Sequence, residues 1–223
     1  MKKIGLMIAM DKELELFTKF INFYDTKTIH KRTFHLGRYN NNELIVVVSG
    51  MGNVNAALCT SDLINTFSAD LIINIGVSGG LTAALEIGDF VVGDDIVYHD
   101  VWCGTPCVIG QVMDLPAIYH SNQELSHLLP EFKHGMICCG DVFVEDQQTY
   151  DNIITKFPQA LAVDMESAAI AQTCYLYDTP MVSVRQISDT PGVEHNAEQY
   201  YEFWKNAPKQ SASVLQKILE KLK

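Results

Sequence analysis

The chain has 223 residues and a mass of 24.9 kDa, with 48% hydrophobic and 19% charged residues. That balance excludes intrinsic disorder and predicts one domain over residues 1–223. Its 27 acidic against 16 basic side chains give a net charge of −11, which argues against a nucleic-acid partner because such a surface repels phosphate backbones. The three arginines are Arg32, Arg38 and Arg185, and no Lys or Arg occurs from Tyr39 to Phe132. A polyphosphate cradle would have to be built almost without cations.

In chain order, Met-Lys-Lys is followed by an apolar run, Ile4–Met10, too short for a secretory core. No stretch approaches a membrane span, so a cytoplasmic protein without a membrane partner is expected. The cysteines at 59, 103, 107, 138, 139 and 174 are then expected as reduced thiols. Lys3–Ala9 reads as a buried strand and Asp11–Ile21 as a helix with Leu14, Leu16, Phe17 and Phe20 near helical spacing. Thr33–Arg38 and Glu43–Ser49 flank the polar turn Asn40-Asn41-Asn42 as a hairpin. Asn53–Phe67 suits a helix that Asn53 can cap. Leu71–Ile75 is a strand running into Gly76–Gly80; Phe90–Tyr98 and Met136–Cys139 are further strands. Ala160–Val163 leads into a helix at Met165–Tyr177, Met181–Ile187 is the last strand, and Ala197–Leu222 is mainly helical with a break at Pro208. Helices interleaved with β-branched strands, plus one hairpin, predict an α/β layered fold with a mixed sheet.

Gly76-Val77-Ser78-Gly79-Gly80 matches G-x-S-x-G after a strand, the context of a nucleophile elbow. The acid and histidine such a hydrolase needs would be Asp189 and His195, six residues apart, close for two separate loops. A flexible strand-end turn whose backbone approaches a ligand is the better reading. His99, Cys103 and Cys107 have the spacing of a zinc-binding helix face, but Gly104 and Pro106 interrupt it, so no metal is expected.

Three acidic residues carry more information. Glu13 lies in a first helical turn after a strand, Glu166 stands where a strand gives way to an alanine-rich helix, and Asp189 closes the last strand. Each alone fits a favourable helix dipole or a cap. Three at successive strand ends, where open α/β sheets bind ligands, point to a site.

At these residues the sequence resembles the 5′-methylthioadenosine/S-adenosylhomocysteine nucleosidases of the nucleoside phosphorylase superfamily. The matching stretches are IGLMIAMDKE at Ile4–Glu13, SGMGN at Ser49–Asn53, INIGVSGGL up to Leu81, GDFVV from Gly88, and YHD from Tyr98. CGDVFV at Cys139–Val144, FPQALAVDMESAAIA at Phe157–Ala171 and VRQISD at Val184–Asp189 complete them, nearly the whole chain in order. The resemblance implies a three-layer α/β/α fold, a cytosolic homodimer, and hydrolysis of the N-glycosidic bond of an adenine thionucleoside without metal or cofactor.

It further implies that Glu13 activates water, that Asp189 protonates purine N7 with help from Ser188, and that Glu166 and Met165 hold the ribose. Phe143 would stack on adenine and the Val144 backbone would read the base edge. Met51 and Tyr200 would lie near the sugar and thioether tail, and Arg185 near the water and carboxylates. Phosphorolysis is the alternative reaction, but Asn74 stands where a basic residue would enter the second glycine turn; a non-catalytic nucleoside-binding protein is the third possibility. Two stretches depart from the family. Val77-Ser78 replaces its Ser-Ala, moving a hydroxyl one place along to Ser78. Val101–Ile109 replaces its aromatic loop, leaving Trp102 and Met113 as candidates for an apolar tail pocket.

Overall fold

A six-residue strand, β1 (Lys3–Ile8), lies parallel to β4 (Asn42–Val48) on one side and to β5 (Leu71–Gly80) on the other. From Ile4 onward every residue of β1 is buried, which is why it reads as a continuous apolar run rather than an alternating one. The computed structural model describes residues 1–205 and 210–222; a helix break at Pro208 falls outside them. On the far side of β4, β3 (Arg32–Tyr39) completes the expected hairpin, with Phe34 opposite Val47 and Tyr39 opposite Asn42. The edge strand β2 (Asn22–Ile29) then pairs with β3. The sequence reading missed β2 because none of its residues is buried, so no periodic burial marks it. The helix before it, α1 (Asp11–Phe17), is correspondingly shorter than expected.

The other half of the sheet curls into a ring. β5 runs parallel to β10 (Met181–Asp189), and β10 is antiparallel to β6 (Phe90–Tyr98). β6 also takes the short β7 (Tyr119–His120) and pairs in parallel with β8 (Lys133–Cys139). β8 pairs with β9 (Ala160–Asp164), which returns to β5 through Gly79 opposite Val163 and Gly80 opposite Ala162. Leu85, Val91, Ile137, Ala162 and Ile187 form a cluster of their own in this ring.

Helices cover both faces, giving the α/β/α layering. On one face α2 (Asn53–Asn65) and α5 (Ser167–Leu176) bury Ala56, Cys59, Leu63, Ala168 and Ala171 against Ile45, Val47 and Ile72. On the other, Phe17 of α1 and Leu215 and Ile218 of α7 (Gln210–Lys221) pack on Leu6, Ile8 and Val46. α3 (Gln123–Ser126) and α4 (Gln147–Lys156) were not anticipated, one being a single turn and the other burying Ile153 alone; α6 (Asn196–Lys205) follows β10.

Two local expectations are corrected. Gly76–Gly80 is neither a turn nor an elbow: β5 continues through it, paired with β10 from Gly76–Arg185 to Ser78–Ile187. None of these three glycines (76, 79, 80) has a positive φ, so glycine serves here for close approach, not for a turn. Asn53 does not cap α2; Gly52, at φ 95°, takes the cap position, and the Asn53 N–H donates to Asp141 Oδ1 at 2.7 Å. Residues 101–104 are not helical, and among the described residues no group of three or more His, Cys, Asp or Glu is placed to hold a metal ion. All six cysteines are free thiols. No helix among the described residues is long and apolar enough to cross a membrane.

Candidate active site

The crevice of this fold follows from a change of partner along β5. One edge of β5 pairs with β10; the other pairs with β1 over Leu71–Asn74 and with β9 at Gly79–Gly80. Residues 75–78 lie between those two pairings, at the carboxyl end of β1, where the strand order switches and α/β sheets take ligands. A cleft opens there, with about 650 Å³ of empty space continuous with solvent.

Glu13, Glu166 and Asp189 all line this cavity, together with Met51, Ser78, Phe143, Val144, Met165, Arg185, Ser188 and Tyr200. Trp102 and Met113 do not. Both are exposed in this chain, and Trp102 Nε1 donates to the Cys107 carbonyl at 3.3 Å. The sequence reading missed Met10, Asp164 and Asn196. Asp164 stood in the A-V-D-M-E block unremarked, whereas nothing in the sequence around Asn196 marks it.

One end of the cavity is densely charged. Glu13 Oε2 accepts the Ala9 and Met10 amides at 3.0 Å each, which places the carboxylate back over the end of β1. Burial pushes its pKa up to about 7, against the opposing pull of the Met10 amide and Arg185. Glu166, at the entry to α5, accepts the Gly52 amide at 2.8 Å; burial and then neighbouring Asp164 push its carboxyl upward. Asp164 Oδ2 accepts from Arg185 Nε at 2.6 Å, while Oδ1 accepts from the Ser167 amide and hydroxyl at the start of α5. Arg185 is 1% exposed. Burial disfavours its charge, but Asp164, Glu166 and Glu13 outweigh that and hold it protonated. A side chain at position 76 would overlap Arg185 Nη1 and lie 3.0 Å from Glu13 Oε1, so only glycine fits. Three carboxylates around one guanidinium favour hydroxyls, water or a developing cation and repel an anion.

The other end is built from neutral donors and aromatic faces. Asp189 Oδ1 accepts from the Ser188 hydroxyl at 2.7 Å, and Oδ2 lies 3.4 Å from Asn196 Nδ2. Burial raises the Asp189 pKa, while these two donors pull it back. Phe143 meets Tyr200 edge to face, centroids 5.6 Å apart, and the Tyr200 hydroxyl donates to Met10 Sδ at 3.4 Å. The Ser78 hydroxyl is buried and makes no hydrogen bond.

Residues 3–222 match the phosphorylase superfamily. A 5′-methylthioadenosine/S-adenosylhomocysteine nucleosidase from Lysinibacillus sphaericus is 36% identical, over 99% of this chain and 100% of its own. The crystal structure of an S-adenosylhomocysteine nucleosidase from Streptococcus pyogenes in complex with 5-methylthiotubericidin is 35% identical, with a TM-score of 0.95 over 100% of this chain and 98% of that one. A Neisseria meningitidis 5′-methylthioadenosine/S-adenosylhomocysteine nucleosidase in complex with methylthio-immucillin-A is 32% identical, with a TM-score of 0.93 over 99% of each chain.

Proposed function

The chain belongs to the phosphorylase superfamily and, within it, to the 5′-methylthioadenosine/S-adenosylhomocysteine nucleosidases, and we propose that its cleft protonates adenine at one end and adds water at the other. It is a hydrolase of the N-glycosidic bond of adenine thionucleosides. Adenine is a poor leaving group until N7 carries a proton. Asp189, its proton affinity raised by burial and its carboxyl oriented by Ser188, gives a proton to N7 as the bond to the sugar breaks. Phe143 stacks on the base and the Val144 backbone meets its edge. Positive charge grows on the ribose, and the carboxylates of Glu166 and Glu13 stabilise it. Glu166 holds the ribose hydroxyls beside Met165. Glu13, with a pKa of about 7, takes the proton from the attacking water. Arg185, paired with Asp164, favours the ionised forms of Glu13 and Glu166 through its charge.

One observation carries the choice of water over phosphate. Arg185 supplies the cation lining this cavity, and Asp164 already pairs with it at 2.6 Å, while three further carboxylates face the same space. The surplus of acidic over basic side chains in this lining disfavours a phosphate dianion. The 5′ tail runs past Met51, Met10 and Tyr200, apolar groups suited to a thioether. The chain works as one domain in a cytoplasmic homodimer: exposed Val54 and Leu58 on α2, with Tyr175 and Leu176 on the adjoining α5, are apolar surface that a second copy would cover.

The test is adenine release from methylthioadenosine with and without phosphate. Adenine and free methylthioribose are expected at equal rates in both. A phosphorylated sugar formed only with phosphate would make the protein a phosphorylase, and no release would make it a binding protein.

A further inference from the structure

Asn196 is the first residue of α6 and is 2% exposed. Its side-chain nitrogen donates to the Val144 carbonyl at 2.9 Å and lies 3.4 Å from Asp189 Oδ2. Both partners are acceptors, so the amide must present its NH₂ group to them, one hydrogen to each. The loop over 190–195 is closed a second time by the Thr190 N–H donating to Gln199 Oε1 at 2.9 Å. One side chain therefore joins three elements: the end of β10, the segment after β8, and the helix carrying Tyr200.

We infer that Asn196 is a positioning residue for departure of the base, holding the Asp189 carboxyl and the Val144 carbonyl at the spacing that the N6–N7 edge of adenine requires. The inference rests on the reading of Asp189 as the acid and Val144 as the base-edge contact. In the step it serves, the Asp189 O–H proton passes to N7. The electron pair of the sugar–N9 bond goes to the purine, and a carboxylate remains on Asp189. Ser188 and Asn196 each give that carboxylate a donor on a different oxygen. Donors to the charged form ease its appearance, so Asn196 assists as the proton leaves. The same amide fixes the Val144 carbonyl, the acceptor next to it for the N6 amino group. The other titratable groups lining the cleft are Tyr200 on α6, Glu13 on α1, Asp164 at the end of β9, Glu166 before α5 and Arg185 on β10.

Asn196→Ala, Asn196→Asp and Asp189→Asn, assayed with methylthioadenosine across pH, test it. Asn196→Ala should lower kcat about tenfold, the small end for a hydrogen bond to a charged group because 3.4 Å is long. Its alkaline limb should move to higher pH, since the Asp189 carboxylate has lost a donor. Asn196→Asp keeps the shape. It should work at acid pH, where the new carboxyl still donates, and fail as that carboxyl ionises against Asp189. A side chain that merely packs α6 would lower kcat by one factor at every pH, without recovery of Asn196→Asp in acid; that result overturns the inference, as does a wild-type profile in both variants. Asp189→Asn separates the two levels. If it is inactive while the Asn196 variants show no pH effect, only the role of Asn196 falls. If it retains turnover, the acid assignment falls and the inference with it.

Discussion

The two ends of the cleft solve opposite problems with different means. The sugar end crowds Glu13, Asp164 and Glu166 around Arg185, all nine-tenths buried or more, and sets proton affinity by burial and charge. The base end holds one carboxyl, Asp189, between neutral donors, Ser188 and Asn196. A general base must take a proton from water near neutral pH, so a carboxyl with a pKa of about 7 suits that role. An acid must let its proton go, and neutral donors to the departing charge serve that without a counter-ion to lock the carboxylate ionised.

The sharpest break of this comparison is by substitution of the two reacting groups. Asp189→Asn and Glu13→Gln should each lower turnover by about two to four orders of magnitude while substrate binding persists. Their signatures should differ. A 4-nitrophenyl methylthioriboside, whose leaving group needs no ring protonation, should restore much of the rate in Asp189→Asn and none in Glu13→Gln. Equal behaviour on that substrate would erase the division between the ends.

Stability should divide the ends too. Arg185→Met leaves three buried carboxylates without a cation and should cost about 3–5 kcal/mol in urea unfolding, against about 1–2 kcal/mol for Ser188→Ala. A smaller loss for Arg185→Met than for Ser188→Ala would show that the charged cluster does not depend on its guanidinium.

A third measurement follows pH. Burial raises the Glu13 pKa from 4.5 to about 7 in the folded protein, so the folded state binds more protons than the unfolded one between those values. The stability associated with Glu13 is therefore fully present below about pH 4.5 and is lost as pH rises through about 7. Glu13→Gln, which cannot ionise, should be the more stable protein at pH 8 by on the order of 2–3 kcal/mol, with the gap closing near pH 4. A gap that stays constant with pH would mean that Glu13 titrates as an ordinary carboxyl.

The smallest effect concerns the tail. Met10, Met51 and Tyr200 line that side of the cavity, and a methylthio group gains by burial there while a bare hydroxyl is left unpaired. Methylthioadenosine should exceed adenosine in kcat/KM by roughly ten- to two-hundred-fold. Equal values would mean that the tail lies elsewhere.

The acidic residues proposed to react, Glu13, Glu166 and Asp189, drew notice because each stands at or shortly after the end of a strand that could be read from the sequence. The hairpin, β6 and β10 were legible as strands in the same way. What escaped was set by long-range contact. β2 buries nothing, so no pattern announces it. Gly76–Gly80 looked like a turn because glycine composition does not distinguish a need for positive φ from a need for room; Arg185 supplies the need for room, and it comes from β10. Trp102 and Met113 had the right apolar character but face outward in this chain. Asn196 sits in a polar stretch and acquires its meaning only by returning to Val144, 52 positions earlier.

The closure of the β5–β10–β6–β8–β9 ring bears on the order of events during folding. Its last seam joins Gly79 to Val163 and Gly80 to Ala162, and β10 must still dock Met181 beside Ile72. Contacts between such distant positions form slowly, after local helices and hairpins, because the intervening chain must be ordered first. The β3–β4 hairpin needs no such reach. Asp164 closes β9, the strand that makes that seam, and Asp189 closes β10. On refolding from urea, helical circular dichroism should therefore return well before adenine release does, and catalytic competence becomes a clock for ring closure; the two recovering together would place the seam among the early events.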